Sequence, residues 1–72
     1  MNKAVIKRRL RDLGMTQAEL AAQCGVTKEF MNLVIQGHKL PSIPVLRLMA
    51  QTLDVTSDEL IGLAKKGVVL ND

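Results

Sequence analysis

"TQAELAAQCGVTKEFMNLVIQG", residues 16–37, is the stretch whose reading decides the fold. It divides into two short helices joined at "CGV". Thr16 stands before an apolar-periodic run, and Glu19 follows three residues later, the spacing of a capping box. Leu20, Ala21 and Cys24 then share one helical face. Gly25 stops the run, Thr27 caps the next helix, and Gly37 ends it near Gln36. The two helices have about eight and about nine residues, and so tight a joint makes an angular pair rather than a parallel hairpin. Ala21 is small where the helices must approach, and Val26 can plug the turn. Any corner between two helices wants a glycine and a small neighbour, so the flanks must decide what this corner is.

The second helix of the pair has a definite inner face. With Met31 as the inward direction and about 100° per residue, Val34 lies about 60° away on one side and Ile35 about 40° on the other. Leu33 lies about 160° from Met31 and Phe30 about 100°. Met31, Val34 and Ile35 are therefore expected in the core, and Leu33 on the surface.

Outward from this pair the chain continues as helices. Ile6, Leu10 and Leu13 recur at helical spacing before Gly14, with Lys7, Arg8, Arg9 and Arg11 on the other faces. Pro41 bars continuation after Gly37. Ser42 caps a fourth helix, which tolerates Pro44 in its first turn and has Leu46, Met49, Ala50 and Leu53 as its inner stripe. "TSDE" at 56–59 is a second capping box and opens a fifth helix with Leu60, Ile61 and Ala64. The tail "GVVLND" leaves helical patterning and reads as a short strand, a packed arm or a disordered end. The expectation is a single all-α domain over residues 1–72, with five helices: a helical core over 1–66 and a tail over 67–72.

Composition narrows the function classes. The chain has 72 residues, one Cys and one His. Cys24 has no internal disulfide partner, and Cys24 with His38 makes no metal site. No cofactor is expected. No nucleophile–base pair, supported carboxylate dyad or phosphate-cradling glycine loop is present, which argues against an enzyme. Phe30 is the only aromatic residue, which argues against stacking on single-stranded nucleic acid. No signal peptide or bilayer-length apolar run is seen, and the unpaired thiol fits a reducing compartment, so a cytoplasmic protein without membrane contact is expected. Residues 1–47 hold eight Lys/Arg against three Asp/Glu, whereas residues 48–72 hold two against four. A basic first two-thirds suggests a polyanionic partner on that side, or only a solvated helix face.

"LGMTQAELAAQCGVTKEFMNLVIQGHKLPS" followed by "VLRLMAQTLDVTSDELI" resembles the lambda-repressor-like helix-turn-helix family, of Cro/repressor or XRE type. The resemblance spans about Ile6 to Ile61, most of the chain, and "LGMTQAELA" and "TLDVTSDEL" are its most specific pieces. It implies a five-helix DNA-binding domain with the helix-turn-helix at helices 2 and 3. It also implies homodimers on palindromic operators and a transcription regulator, of repressor or Cro kind, from a bacterium or phage. No small-molecule effector is evident.

On this resemblance, base reading falls to Lys28, Glu29 and Leu33, with Phe30 and Asn32 beside them. Lys28 would donate to guanine, Glu29 would accept from cytosine, and Phe30 and Leu33 would touch thymine methyls. Thr16, Gln17 and Thr27, at two helix N-termini, are expected to face phosphates. Gln17 would also brace a reading side chain. Lys39 is a further phosphate contact, with Gln36 and His38 as weaker candidates. The family usually has polar residues at 30 and 33. Contact with thymine, contact with a protein, and packing against the second helix all remain open there. The position of Ile35 often carries an acidic residue paired with a basic one on the first helix. Here the first-helix residue is Leu10, and the pair reads as an apolar contact in place of an ion pair. Cys24 is expected to pack as a small buried hydrophobe, and Arg8, Arg9 and Arg11 either solubilise or reach flanking phosphates. Val45, Leu48, Val68, Val69 and Leu70 are the expected dimer surface, unless the tail folds back on its own core. The alternative function is a protein-binding module on the same fold, such as an antirepressor or antitoxin-like adaptor.

Overall fold

The computed structural model describes residues 1–61, and these form five α-helices. They are α1 (Lys3–Leu13), α2 (Gln17–Cys24), α3 (Lys28–Gln36), α4 (Ile43–Leu53) and α5 (Ser57–Ile61). The expected extension of the fifth helix through Ala64 and the tail with Val68, Val69 and Leu70 lie outside the described residues.

The caps follow from side-chain chemistry at each start. Thr16 Oγ1 accepts from Glu19 N–H at 3.0 Å while Glu19 Oε1 accepts from Thr16 N–H at 2.8 Å. Thr56 and Glu59 repeat this box at α5, at 3.1 and 2.9 Å. Thr27 takes Phe30 N–H at 3.0 Å and Ser42 takes Val45 N–H at 3.3 Å. Each such cap satisfies an amide that the helix leaves over and is worth about 1 kcal/mol. Asn2 caps α1 by accepting from Val5 N–H, and its own N–H donates to the Leu60 carbonyl. That bond ties the first residues of the chain to α5, a contact which local sequence reading does not reach.

The bend between α2 and α3 rests on Gly25. Its φ of 72° is left-handed, and a Cβ there would meet no atom within 4 Å, so the demand is on the backbone and not on space. Val26 N–H bonds back to the Ala21 carbonyl at 3.0 Å, and its side chain packs on the core. Asp54 does the same work after α4 at φ 57°, where glycine is the usual choice.

One buried cluster holds the helices together: Ile6, Leu10, Leu20, Ala21, Cys24, Met31, Val34, Ile35, Met49, Ala50, Leu53 and Leu60. α2 packs on α3 and α4, and α1 packs on α3, α4 and α5. Leu10 and Ile35 both lie inside the cluster, as the apolar replacement of an ion pair requires. Leu46 is only half-buried against it.

Two sequence expectations are corrected. Leu13, expected in the inner stripe of α1, is 43% exposed. α1 ends there, and the chain folds back through a bond from Met15 N–H to the Leu10 carbonyl (2.9 Å), so Met15 packs on the core in its place. Leu33, expected to be exposed, is half-buried. The turn after α3 folds back on this residue's backbone, with His38 and Lys39 N–H both reaching its carbonyl, at 2.9 and 3.3 Å.

Arg9 is distinguished from the other arginines of α1. Its Nε donates to the Leu53 carbonyl at 2.9 Å, and its Nη1 meets Asp12 Oδ2 at 3.1 Å. A guanidinium on the last carbonyls of α4 satisfies an orphan acceptor and opposes the negative end of the helix dipole. Arg9→Ala is expected to destabilise the domain by about 1–2 kcal/mol in urea melts, since the bond is charged and part-buried. Arg8→Ala and Arg11→Ala, both at exposed positions, are expected to change stability by less than about 0.5 kcal/mol. Equal losses from all three would remove Arg9's special place.

Candidate nucleic-acid interface

The fold packs α2 on α3 across the left-handed turn at Gly25, with their N-caps at Thr16 and Thr27. Each of these helices begins with amides that point outward along its axis, and the positive end of its dipole lies there. Met31, Val34 and Ile35 anchor α3 in the core. That anchoring turns Lys28, Glu29, Asn32 and Gln36 to the surface, where all four are exposed. Thr16 and Thr27 are exposed as well, and Gln17 is half-buried.

The expected site residues divide by surroundings. Lys28, Glu29 and Asn32 share the outer surface of the first two turns of α3. Phe30 is half-buried and packed on the core cluster. Leu33 is half-buried without belonging to the residues packed on that cluster. Gln17 Nε2 donates to Asn32 Oδ1 at 3.2 Å and links α2 to α3. Gln36 Oε1 accepts from Lys3 Nζ at 3.5 Å, so the far end of α3 meets the start of α1. His38 and Lys39 are exposed in the turn beyond α3. The site thus collects a basic and an acidic side chain, three amides and two helix N-termini on one helix pair.

Two apolar residues stand out that sequence reading passed over. Leu40 is 88% exposed and Ile43 is 70% exposed, on either side of Pro41 and Ser42. Leu40 precedes α4 and has no period to follow, whereas Ile43 opens α4 at the spacing of Leu46 and Ala50 and is exposed because it lies on the first turn. Val45, expected at a dimer surface, is half-buried against its own core, whereas Leu48 is 39% exposed.

Cys24 is buried, and burial pushes its thiol above its ordinary value. A thiol held protonated in the core packs as a small hydrophobe and is a poor nucleophile. Among the described residues, no group of three or more His, Cys, Asp or Glu side chains comes together to hold a metal ion. No described helix is long and apolar enough to cross a membrane.

No curated protein matches the chain significantly. A helix-turn-helix family model, of the Cro/C1 or XRE-like type, matches residues 6–60. That span runs from the first core residue of α1 to the last of α5 and includes the whole α2–α3 unit. With the five-helix architecture and the tight α2–α3 turn at Gly25, it places the chain in the Cro/C1-type helix-turn-helix family of DNA-binding regulators.

Proposed function

We propose that this protein is a sequence-specific regulator of transcription, of repressor or Cro kind, that lays α3 in the major groove of double-stranded DNA. The observation that carries the reading is the division of α3: Met31, Val34 and Ile35 hold it in the core, while Lys28 and Glu29 stand free at its N-terminal end. A recognition helix of this kind meets base edges with its first turns. Lys28 donates to guanine, Glu29 accepts from cytosine N4, and the exposed part of Leu33 meets a thymine methyl. Phe30 is assigned chiefly to packing. The N-termini at Thr16–Gln17 and Thr27 take phosphates, with Lys39, and more weakly Gln36 and His38, beyond α3.

One such unit covers little DNA, so a homodimer on a palindromic site is proposed. Leu48 supplies its exposed apolar contact and Val45 its margin. Val68, Val69 and Leu70 would complete it from outside the described residues. Sedimentation on a palindromic duplex tests this, and one copy per duplex at saturation removes the dimer.

Selection of bound duplexes from a random pool, followed by titration against salt, tests the main reading. A specific duplex with a steep negative slope of log K against log[salt] is expected. Lys28→Ala is expected to weaken that duplex about 10-fold or more and to relax preference at one base pair. Unchanged affinity would take α3 out of the groove. The second reading, a protein-binding module, is favoured by Leu40 and Ile43, which lie open beside the C-terminal end of α3. It predicts that no duplex is enriched.

A further inference from the structure

Gln17 opens α2 and Asn32 lies in the second turn of α3, yet their side chains meet through the 3.2 Å bond from Gln17 Nε2 to Asn32 Oδ1. Among the described hydrogen bonds, no other side-chain pair joins these two helices. The sequence places Asn32 among the base readers. An asparagine reads adenine with both ends of its amide, Oδ1 accepting from N6 and Nδ2 donating to N7. Here one lone pair of Oδ1 is taken by a partner from the same chain, and that bond fixes the plane of the Asn32 amide before any base arrives. Gln17, by contrast, keeps its Oε1 and a second N–H for partners outside the protein. It is the first helical residue of α2, beside the outward-pointing amides of that helix.

We infer that Asn32 is a positioning residue and not a base reader: it holds Gln17 across the helix pair so that Gln17 meets a DNA phosphate at a fixed place. The inference rests on the DNA-reading function proposed above and changes the part that the family resemblance gives Asn32. A glutamine already held in its bound rotamer gives up less conformational freedom on binding. Because phosphate contacts fix register without reading sequence, loss of this hold weakens every duplex by the same factor.

The test titrates the selected duplex and its single-base variants against the unaltered protein, Gln17→Ala, Asn32→Ala and the double variant. Each single substitution is expected to lower affinity by about 3- to 10-fold on every duplex alike, the range of one hydrogen bond. The double variant is expected to bind no worse than the weaker single one, because both remove the same contact. In the free protein, the Gln17 side-chain amide resonances are expected to move in Asn32→Ala. They should return toward their original place in Asn32→Asp, whose carboxylate still accepts. A relaxed preference at one base pair in Asn32→Ala makes Asn32 a reader and overturns the inference. So do multiplicative losses in the double variant, or Gln17 resonances that ignore position 32. If the unaltered protein enriches no duplex, the DNA reading fails as well, a result distinct from any of these.

Discussion

Ile35→Glu is expected to destabilise the domain by about 3–5 kcal/mol at neutral pH, the cost of an unpaired buried charge. Ile35 is only 2% exposed and Leu10 shares its cluster, with α1 packed on α3. The introduced carboxyl would lose its hydration and gain no partner. Burial raises its pKa in the folded state above the ~4.3 of the unfolded chain. The folded form then binds the proton more tightly, so the loss is smallest below about pH 4.3 and grows as pH rises through the raised value. Leu10→Arg in the same chain supplies the missing cation and is expected to recover at least half of the loss at neutral pH. Urea melts of the two single variants and the double variant across pH measure the coupling. A double variant no more stable than Ile35→Glu means that the two side chains do not face each other, and the apolar pair is then no substitute for an ion pair.

Leu20→Ala is expected to cost about 2–5 kcal/mol, from lost burial together with the cavity left behind. Leu20 is fully buried on α2, the helix that packs on both α3 and α4. A domain of this size has roughly 4–11 kcal/mol in all, so the variant keeps a fraction of its stability or none. Circular dichroism at 25 °C with a urea titration gives the number. The same substitution also bears on function, because α2 packs on α3 and Leu20 is fully buried in the core they share. DNA affinity is expected to fall with the folded fraction. A loss below about 1 kcal/mol would mean that the site collapses around the alanine, and that α2 is held chiefly by Ala21 and Cys24.

The helices were largely legible because their starts and stops are written in neighbouring residues. Thr16 with Glu19, Thr56 with Glu59, and the caps at Thr27 and Ser42 each act within one turn. Period was equally informative within α3, where Met31, Val34 and Ile35 are the buried residues. It was less informative at helix ends, because period gives a direction and cannot say whether anything lies in that direction. Leu13 points along the inner stripe of α1 and finds no cover. Leu33 points away from Met31 and is half-buried all the same.

The candidate site shows the same division. Which residues stand on the α2–α3 unit follows from the sequence and the family pattern, since both depend on a corner fixed by Gly25 and Ala21. What those residues touch does not. The bond from Gln17 to Asn32 spans fifteen positions, and Arg9 reaches the Leu53 carbonyl across forty-four. Helical period sets Arg9, three residues after Ile6, beside the inner face of α1, but no local rule names the carbonyl it reaches. By itself, then, the sequence determined the five helices, the N-caps of α2 to α5, the core face of α3 and the family, because each is a matter of short-range spacing. Only the tertiary structure decided which polar side chains are free for a partner and which are already engaged, because that depends on the distance between helices brought together by burial of a shared core.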